Sequence, residues 1–318
     1  MRKLNYFLFV IITLPFSCNN KNIKITTSDN SAELFLPGIV STSNFEMNAS
    51  FSETGNEFYY SIADAYQNYN AIVSVTKKKG DWEEPQVVLF SGVYSDFDPF
   101  LSDDGNRMYF CSRRPMSVND TDRDDANIWY VDKVNGKWGE PIALNSKINS
   151  EYNEYYVSVS GKNNIYFTST KPEGVGSWDI YFQNNDDLEV YNIGEPINSS
   201  SREWDPLIAK DERFILFTSD REGGYGGGDL YVSFKNESGA WTSPENLGEK
   251  VNTEDYEYCP YISWDGEFLY FSRFGGSSLN YSEGIKKSYQ DLSNQSQSIE
   301  NGLGNVYRIR LRELDIFK

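Results

Sequence analysis

The residues best suited to chemistry are acids that recur two positions apart. Asp96 and Asp98 form one such pair and Glu203 and Asp205 another; related pairs are Glu46 and Asn48, Tyr152 and Glu154, and Glu257 and Cys259. Side chains two apart on a strand point the same way, so each pair is expected to face one side. Five strands of this kind converging on an axis would set up to seven carboxylates around one opening. Such a ring suits a hard cation such as Ca²⁺. With one acid kept protonated and another ionised, it also suits hydrolysis of a glycoside. Phe97, Trp204 and Tyr258 sit between the members of their pairs and offer faces on which a sugar ring could stack. The structural alternative is that the acids recur because every unit needs a brace to the backbone of its neighbour, and the aromatics because units pack. Repetition in all units favours that alternative.

Composition narrows the chemistry further. The 318 residues include no histidine. Ser-His-Asp and Cys-His triads and His-ligated metals are therefore excluded, and carboxylates, Tyr, Lys and Cys are what remain. There are 47 acidic residues against 29 basic ones, a formal charge of -18. This argues against a nucleic-acid partner and against docking on anionic lipid through a basic patch. Asp120, Asp122 and Asp124 alternate in the loop NDTDRDD and partly resemble a calcium loop, without its sixth-position Gly or its distal Glu. No cofactor is expected, and Ca²⁺ is the one candidate.

The elements that must position these residues repeat. Aligned on the residue before a turn, units are marked by Ser52, Ser102, Ser158, Ala209 and Ser263, followed by the turns ETGN, DDGN, VSGK, KDER and WDGE. Second strands then read EFYYS, RMYFCS, IYFTS, FILFTS and FLYFS, runs whose aromatic density predicts burial on both faces. Asn70, Asn127, Asp179, Asp229 and Asn305 open third strands, where an Asx side chain can cap loop backbone. Trp82, Trp138 and Trp241 announce fourth strands with Pro85, Pro141 and Pro244 three residues on. The third unit keeps only Pro196, which marks its outer edge strand. Gly223 to Asp229, GGYGGGD, reads as a loop needing positive φ values, since it lacks the Lys and helix of a phosphate-binding loop.

Four antiparallel strands per unit, repeated radially, make an all-β β-propeller. Five blades are countable. Leu36 to Glu46 resembles Leu247 to Glu257, so the segment from Ala32 to Leu36 is expected to supply the outer strand of the last blade and close the ring. Cys111 and Cys259 fall on the second and fifth units, not neighbours in such a ring, and are expected to be buried thiols without a disulfide. Residues 277–303 interrupt the last unit and read as a mobile polar loop with one helical turn.

The motifs E-x-D-P, S-x-D-G, the aromatic strand with its Ser, G-G-x-G-G-x-D-[IL]-Y and W-x-x-P-x-N-L-G, over about residues 33 to 311, resemble the TolB-like, WD-repeat-like propeller lipoproteins. The TolB propeller has six blades, and the resemblance keeps six as the alternative to five.

Residues 1 to 18, MRKLNYFLFVIITLPFSC, read as a secretory signal whose apolar run is short for a membrane span. The Cys that ends it resembles the lipidated residue of a bacterial lipoprotein, of the loose type seen in Bacteroidota, which makes Cys18 the expected anchor. Residues 19–31 follow as a polar tether, and 32–318 as one propeller domain. The expected protein is exported, an outer-membrane lipoprotein facing the periplasm or the exterior, touching the membrane only through its lipid. Its expected role is non-enzymatic binding or scaffolding of an envelope protein or glycan. A carbohydrate-active enzyme using Glu46, Asp96, Asp98, Glu154, Glu203, Asp205 or Glu257 is the alternative, and a calcium-dependent adhesin the third reading.

Overall fold

The computed structural model describes residues 32–117, 125–275 and 286–317. The signal, the tether, Cys18 and the Asp120, Asp122 and Asp124 loop lie outside them. Strands form five antiparallel sheets in ring order. Blade 1 is Phe45–Phe51, Glu57–Ala63 and Asn70–Lys78, with a split outer strand, Asp81–Trp82 and Gln86–Val87. Blade 2 is Asp96–Leu101, Arg107–Ser112 and Asn127–Val134, with Lys137–Trp138 and Ile142–Ala143 outside. Blade 3 is Glu154–Val159, Ile165–Ser169, Asp179–Gln183 and Val190–Asn192; blade 4 is Glu203–Ile208, Phe214–Ser219, Asp229–Phe234 and Glu245–Asn246. Blade 5 takes Tyr256–Ile262, Phe268–Phe274 and Asn305–Arg310 from the C-terminal part and Glu33–Leu34 from the N-terminal part.

Closure follows the expected route. Glu33 pairs with Arg308 and Leu34 with Tyr307, and the first strand of blade 1 packs on blade 5. The chain is thus a five-bladed β-propeller, with no edge left open between its two ends. Its core lies between blades. Tyr60, Phe110, Phe167, Phe217 and Phe271, one from each second strand, are buried at 2% exposure or less. Rings of this size remove roughly 150–250 Å² each from water, which explains why the aromatic strand is the most regular feature of the repeat.

Three details differ from the expectation, each for a local reason. In blade 3 the residue before the turn is Ser160, whose N–H donates to Asn164 O, and not Ser158. Ser158 lies within the strand with its Oγ donating to Pro206 O of blade 4. That two-residue correction makes Glu154, not Tyr152, the counterpart of Asp96. Pro196 follows a cis peptide bond after the outer strand has ended at Asn192. It is Asn192 that matches Asn246, both donating to the Asp that opens the third strand, Asp179 or Asp229. Finally, the insertion carries a two-turn helix, Tyr289–Ser296, started by a capping box between Ser288 and Asp291.

Candidate functional site

The expectation that each acidic pair points one way fails, and the reason is a β-bulge in every first strand. Pairing with the second strand shifts between Met47 and Ser50, Phe97 and Phe100, Tyr155 and Ser158, Trp204 and Leu207, and Tyr258 and Tyr261. At each bulge one non-glycine residue takes a left-handed backbone: Asn48 (φ 70), Asp98 (φ 54), Tyr156 (φ 44), Asp205 (φ 54) and Cys259 (φ 53). Bulges bend a strand and re-aim its side chains. They also tolerate a residue without an N–H, and Pro99, Pro206 and Pro260 occupy the next position. The strand therefore delivers three successive side chains to three different places.

The first of the three braces a connection. Glu46, Asp96, Glu154, Glu203 and Glu257 are at most 1% exposed. The four glutamates each accept from the N–H and hydroxyl of the Thr or Ser four residues earlier, Thr42, Ser150, Ser199 or Thr253, in the loop entering the blade. Asp96 accepts instead from Ser112 Oγ at 2.6 Å. Arg114, Arg221 and Arg273 neutralise Asp96, Glu203 and Glu257 at 2.6, 3.0 and 2.6 Å. The same guanidinium groups lie over Phe110, Phe217 and Phe271. Burial pushes the acids of Glu46, Asp96, Glu154 and Glu257 upward against these hydrogen bonds. The four glutamates thus brace the loop entering their own blade and Asp96 its own second strand, and none of the five lines the pocket described next.

The second residue of each triplet forms a wall. Met47, Phe97, Tyr155, Trp204 and Tyr258 all line a cavity of about 310 Å³ at the mouth where first strands begin. Trp178, Arg202, Tyr256, Phe274 and Arg113 add to it, as do Gln67 and Asn70 of blade 1. Trp178 and Tyr155 stack with ring centroids 5.4 Å apart, and Trp178 meets Trp204 edge-on at 6.1 Å. Tyr256 stacks on Phe274 at 4.8 Å. Arg202 leans over Trp204 while its Nε donates to Asp220 at 2.7 Å.

The third residue turns to the axis. Asn48 Nδ2 donates to Asp98 Oδ1 and to Cys259 Sγ, both at 2.8 Å, and Asp205 Oδ2 accepts from Cys259 N at 3.0 Å and Sγ at 3.3 Å. Asp98 and Asp205, 7% and 6% exposed, are the two acids that form the pocket floor. Burial pushes Asp98 up to about 6, and burial together with the charge of Asp98 pushes Asp205 up to about 8. Burial and mutual repulsion thus both oppose ionising the two carboxyls together. Cys111 and Cys259 are buried free thiols beside it, their acidity suppressed first by burial and then by those carboxylates. Tyr258 reaches the same cluster, and its buried hydroxyl has no hydrogen-bond partner among the described residues.

Phe97, Asp98, Trp204, Asp205 and Tyr258 are thus brought together, while Glu46, Asp96, Glu154, Glu203 and Glu257 are consumed by the scaffold. Among the described residues no three or more Asp, Glu or Cys side chains gather as a metal site. Sequence reasoning missed Trp178. Its signal lay in the residue before each third strand, which is Tyr69, Ala126, Trp178, Gly228 and Gly304. A Cβ at Gly228 would meet the Trp204 ring and one at Gly304 the Phe45 ring, so a Trp there breaks the repeat and juts into the mouth. The glycines of GGYGGGD serve close approach more than positive φ. Only Gly223 has φ +91, whereas Gly226, Gly227 and Gly228 press on Thr253, Tyr256 and Trp204, and Asp229 accepts from the N–H groups of Tyr225 and Gly226.

No family model matches the chain, and no curated protein matches it. Among solved structures it is similar to a putative TolB from Agrobacterium tumefaciens, with 12% identity over 84% of this chain and 91% of that one, at a TM-score of 0.48. It is likewise similar to TolB from Acinetobacter baumannii, 12% identical over 84% of this chain and 54% of that one, with TM-score 0.47. An α-L-arabinofuranosidase from Lactobacillus brevis gives 11% identity over 85% and 91%, with TM-score 0.48. These likenesses concern the propeller fold.

Proposed function

We propose that this protein is a saccharide-binding propeller held at the cell envelope by a lipid on Cys18. The observation that carries the binding reading is the pocket itself: aromatic faces from Tyr155, Trp178, Trp204 and Tyr256 around a floor made of Asp98 and Asp205. Sugar rings present apolar C–H faces and rim hydroxyls, and a mostly apolar pocket with a few convergent polar groups matches both. Trp178 adds weight because it departs from the small residues at the same place in blades 2, 4 and 5. The leader with its terminal Cys supports export and lipidation, and among the described residues no helix is long and apolar enough to cross a membrane. An envelope protein remains the other class of partner, to be met on the outer faces of the ring.

The test is retention on an array of soluble oligosaccharides and envelope glycans, with Trp178→Ala as control. Retention lost in the variant supports the reading, and equal retention by both proteins removes the pocket from consideration. Lipidation is checked by the mass of the N-terminal peptide from detergent extracts, with Cys18→Ser expected to release the chain from membranes.

A hydrolytic reading draws on one observation, that two buried carboxyls, Asp98 and Asp205, share the pocket floor, both held toward the protonated form by burial. Release of reducing ends from the array glycans, abolished in Asp98→Asn and Asp205→Asn, would establish it in place of simple binding.

A further inference from the structure

Four of the five axial residues hand their backbone N–H to a side chain one blade back. Asn48 N donates to Ser272 Oγ at 2.8 Å, Asp98 N to Ser61 Oγ at 3.2 Å, Tyr156 N to Cys111 Sγ at 3.2 Å, and Asp205 N to Thr168 Oγ1 at 3.1 Å. The acceptors share one register position, each paired with the wall residue of its own blade. Blade 4 places Thr218 there, opposite Trp204. Yet Cys259 N donates to Asp205 Oδ2 at 3.0 Å, and the buried Thr218 hydroxyl has no hydrogen-bond partner among the described residues. The Asp205 carboxyl has displaced the acceptor that the repeat provides.

A buried hydroxyl without a partner is costly, and here the cost is removable by one side-chain movement. If Asp205 leaves, the Cys259 amide has the acceptor that its four counterparts use. Asp98 engages the Tyr156 amide in the same way, with Cys111 Sγ already accepting from it at 3.2 Å, but Asp98 also accepts from Asn48 Nδ2 at 2.8 Å, a second bond that its departure would break. Asp205 also lines the pocket floor. Resting on the saccharide reading, we propose that Asp205 is the specificity-determining side chain of the pocket: it exchanges the Cys259 amide for a hydroxyl of the bound sugar, and Thr218 takes over the amide as a positioning residue.

The exchange is a property of the chain without ligand and is tested first that way, by thermal melts of Thr218→Val, Asp205→Ala and the double variant, with Asp205→Gly as a second background. With Asp205 present, Thr218→Val removes a buried, unused hydroxyl and leaves the melting temperature unchanged or raises it by a few degrees. With Asp205 absent, the same change strands the Cys259 amide and lowers the melting temperature by roughly 2 to 8 °C. Equal shifts in both backgrounds would refute the exchange, even where retention on the saccharide array and its dependence on Trp178 stand. Conversely, array retention indifferent to Trp178→Ala overturns the saccharide reading while a non-additive cycle leaves the amide exchange in place. Where a saccharide is retained, Thr218→Val must weaken it about tenfold without touching it, and an unchanged affinity sinks the ligand role of Asp205.

Discussion

Trp178 and Tyr155 lie face to face, ring centroids 5.4 Å apart and planes at 27°, although one precedes the third strand of blade 3 and the other belongs to its first. Both are half-buried, and both face the mouth that Asp98 and Asp205 floor. Trp178→Ala is expected to leave the melting temperature within a few degrees of the parent and to weaken saccharide binding by tenfold or more, about 1.4 kcal/mol. Quenching of tryptophan fluorescence against a retained oligosaccharide measures this. Trp178→Phe should recover part of the affinity.

The braces are expected to respond differently. Glu203 has no exposed side-chain surface and relies on Arg221, which is itself 17% exposed. Arg221→Ala leaves a buried carboxylate without its cation and should cost about 3–5 kcal/mol, whereas Arg221→Ala with Glu203→Gln should cost clearly less. Urea unfolding of the three proteins decides it, and an equal loss in the single and double variants would contradict the pairing.

Stability should depend on pH through the axial pair. The folded-state pKa of Asp205 is raised to about 8 from an ordinary value near 3.8. Its contribution is therefore complete below the unfolded pKa and is lost progressively as pH rises to about 8. Asp98, raised to about 6, acts in the same direction over a narrower range. Asp205→Asn cannot ionise, so its stability relative to the parent should increase from pH 4 toward about pH 8 and then level off. Melts of both proteins over this range provide the measurement, and parallel curves would exclude the shift.

Two glycines of one loop should give opposite phenotypes. At Gly228 a Cβ would lie 2.8 Å from the Trp204 ring, so Gly228→Ala should push that wall into the pocket and reduce ligand affinity more than stability. Gly223 has φ +91 and open space around it. Gly223→Ala should therefore cost about 1 kcal/mol of stability and leave affinity alone. Binding and melting data on the two variants separate the effects.

Burial in the second strands predicts a further, purely structural loss. Phe217 is fully buried between blades 3 and 4, and Phe217→Ala should destabilise by about 3–5 kcal/mol with no specific effect on the pocket.

The aromatic second strands, the turns of four blades and the Asx that opens each third strand were legible in the sequence because they follow from burial and local backbone chemistry; in blade 3 the turn lies two residues beyond the aligned place. Ring closure by Glu33 and Leu34 was legible too, since Leu36 to Glu46 repeats Leu247 to Glu257. The site was legible only in part. Phe97, Trp204 and Tyr258 stand out in the sequence as faces for stacking or, as repetition favours, for packing between blades, but alternation along an ideal strand places Asp96 beside Asp98. The bulge, whose amide is held by a side chain of the preceding blade, separates them and sends Asp96 to Ser112 and Arg114 and Asp98 to the axis. Trp178, Tyr256 and Phe274 join the wall through the meeting of different blades, which no local pattern encodes. Sequence alone thus determined the repeated sheet and its closure. Tertiary structure decided which acids are spent as braces and which two remain at the floor of a pocket, because that depends on what each side chain meets one blade away.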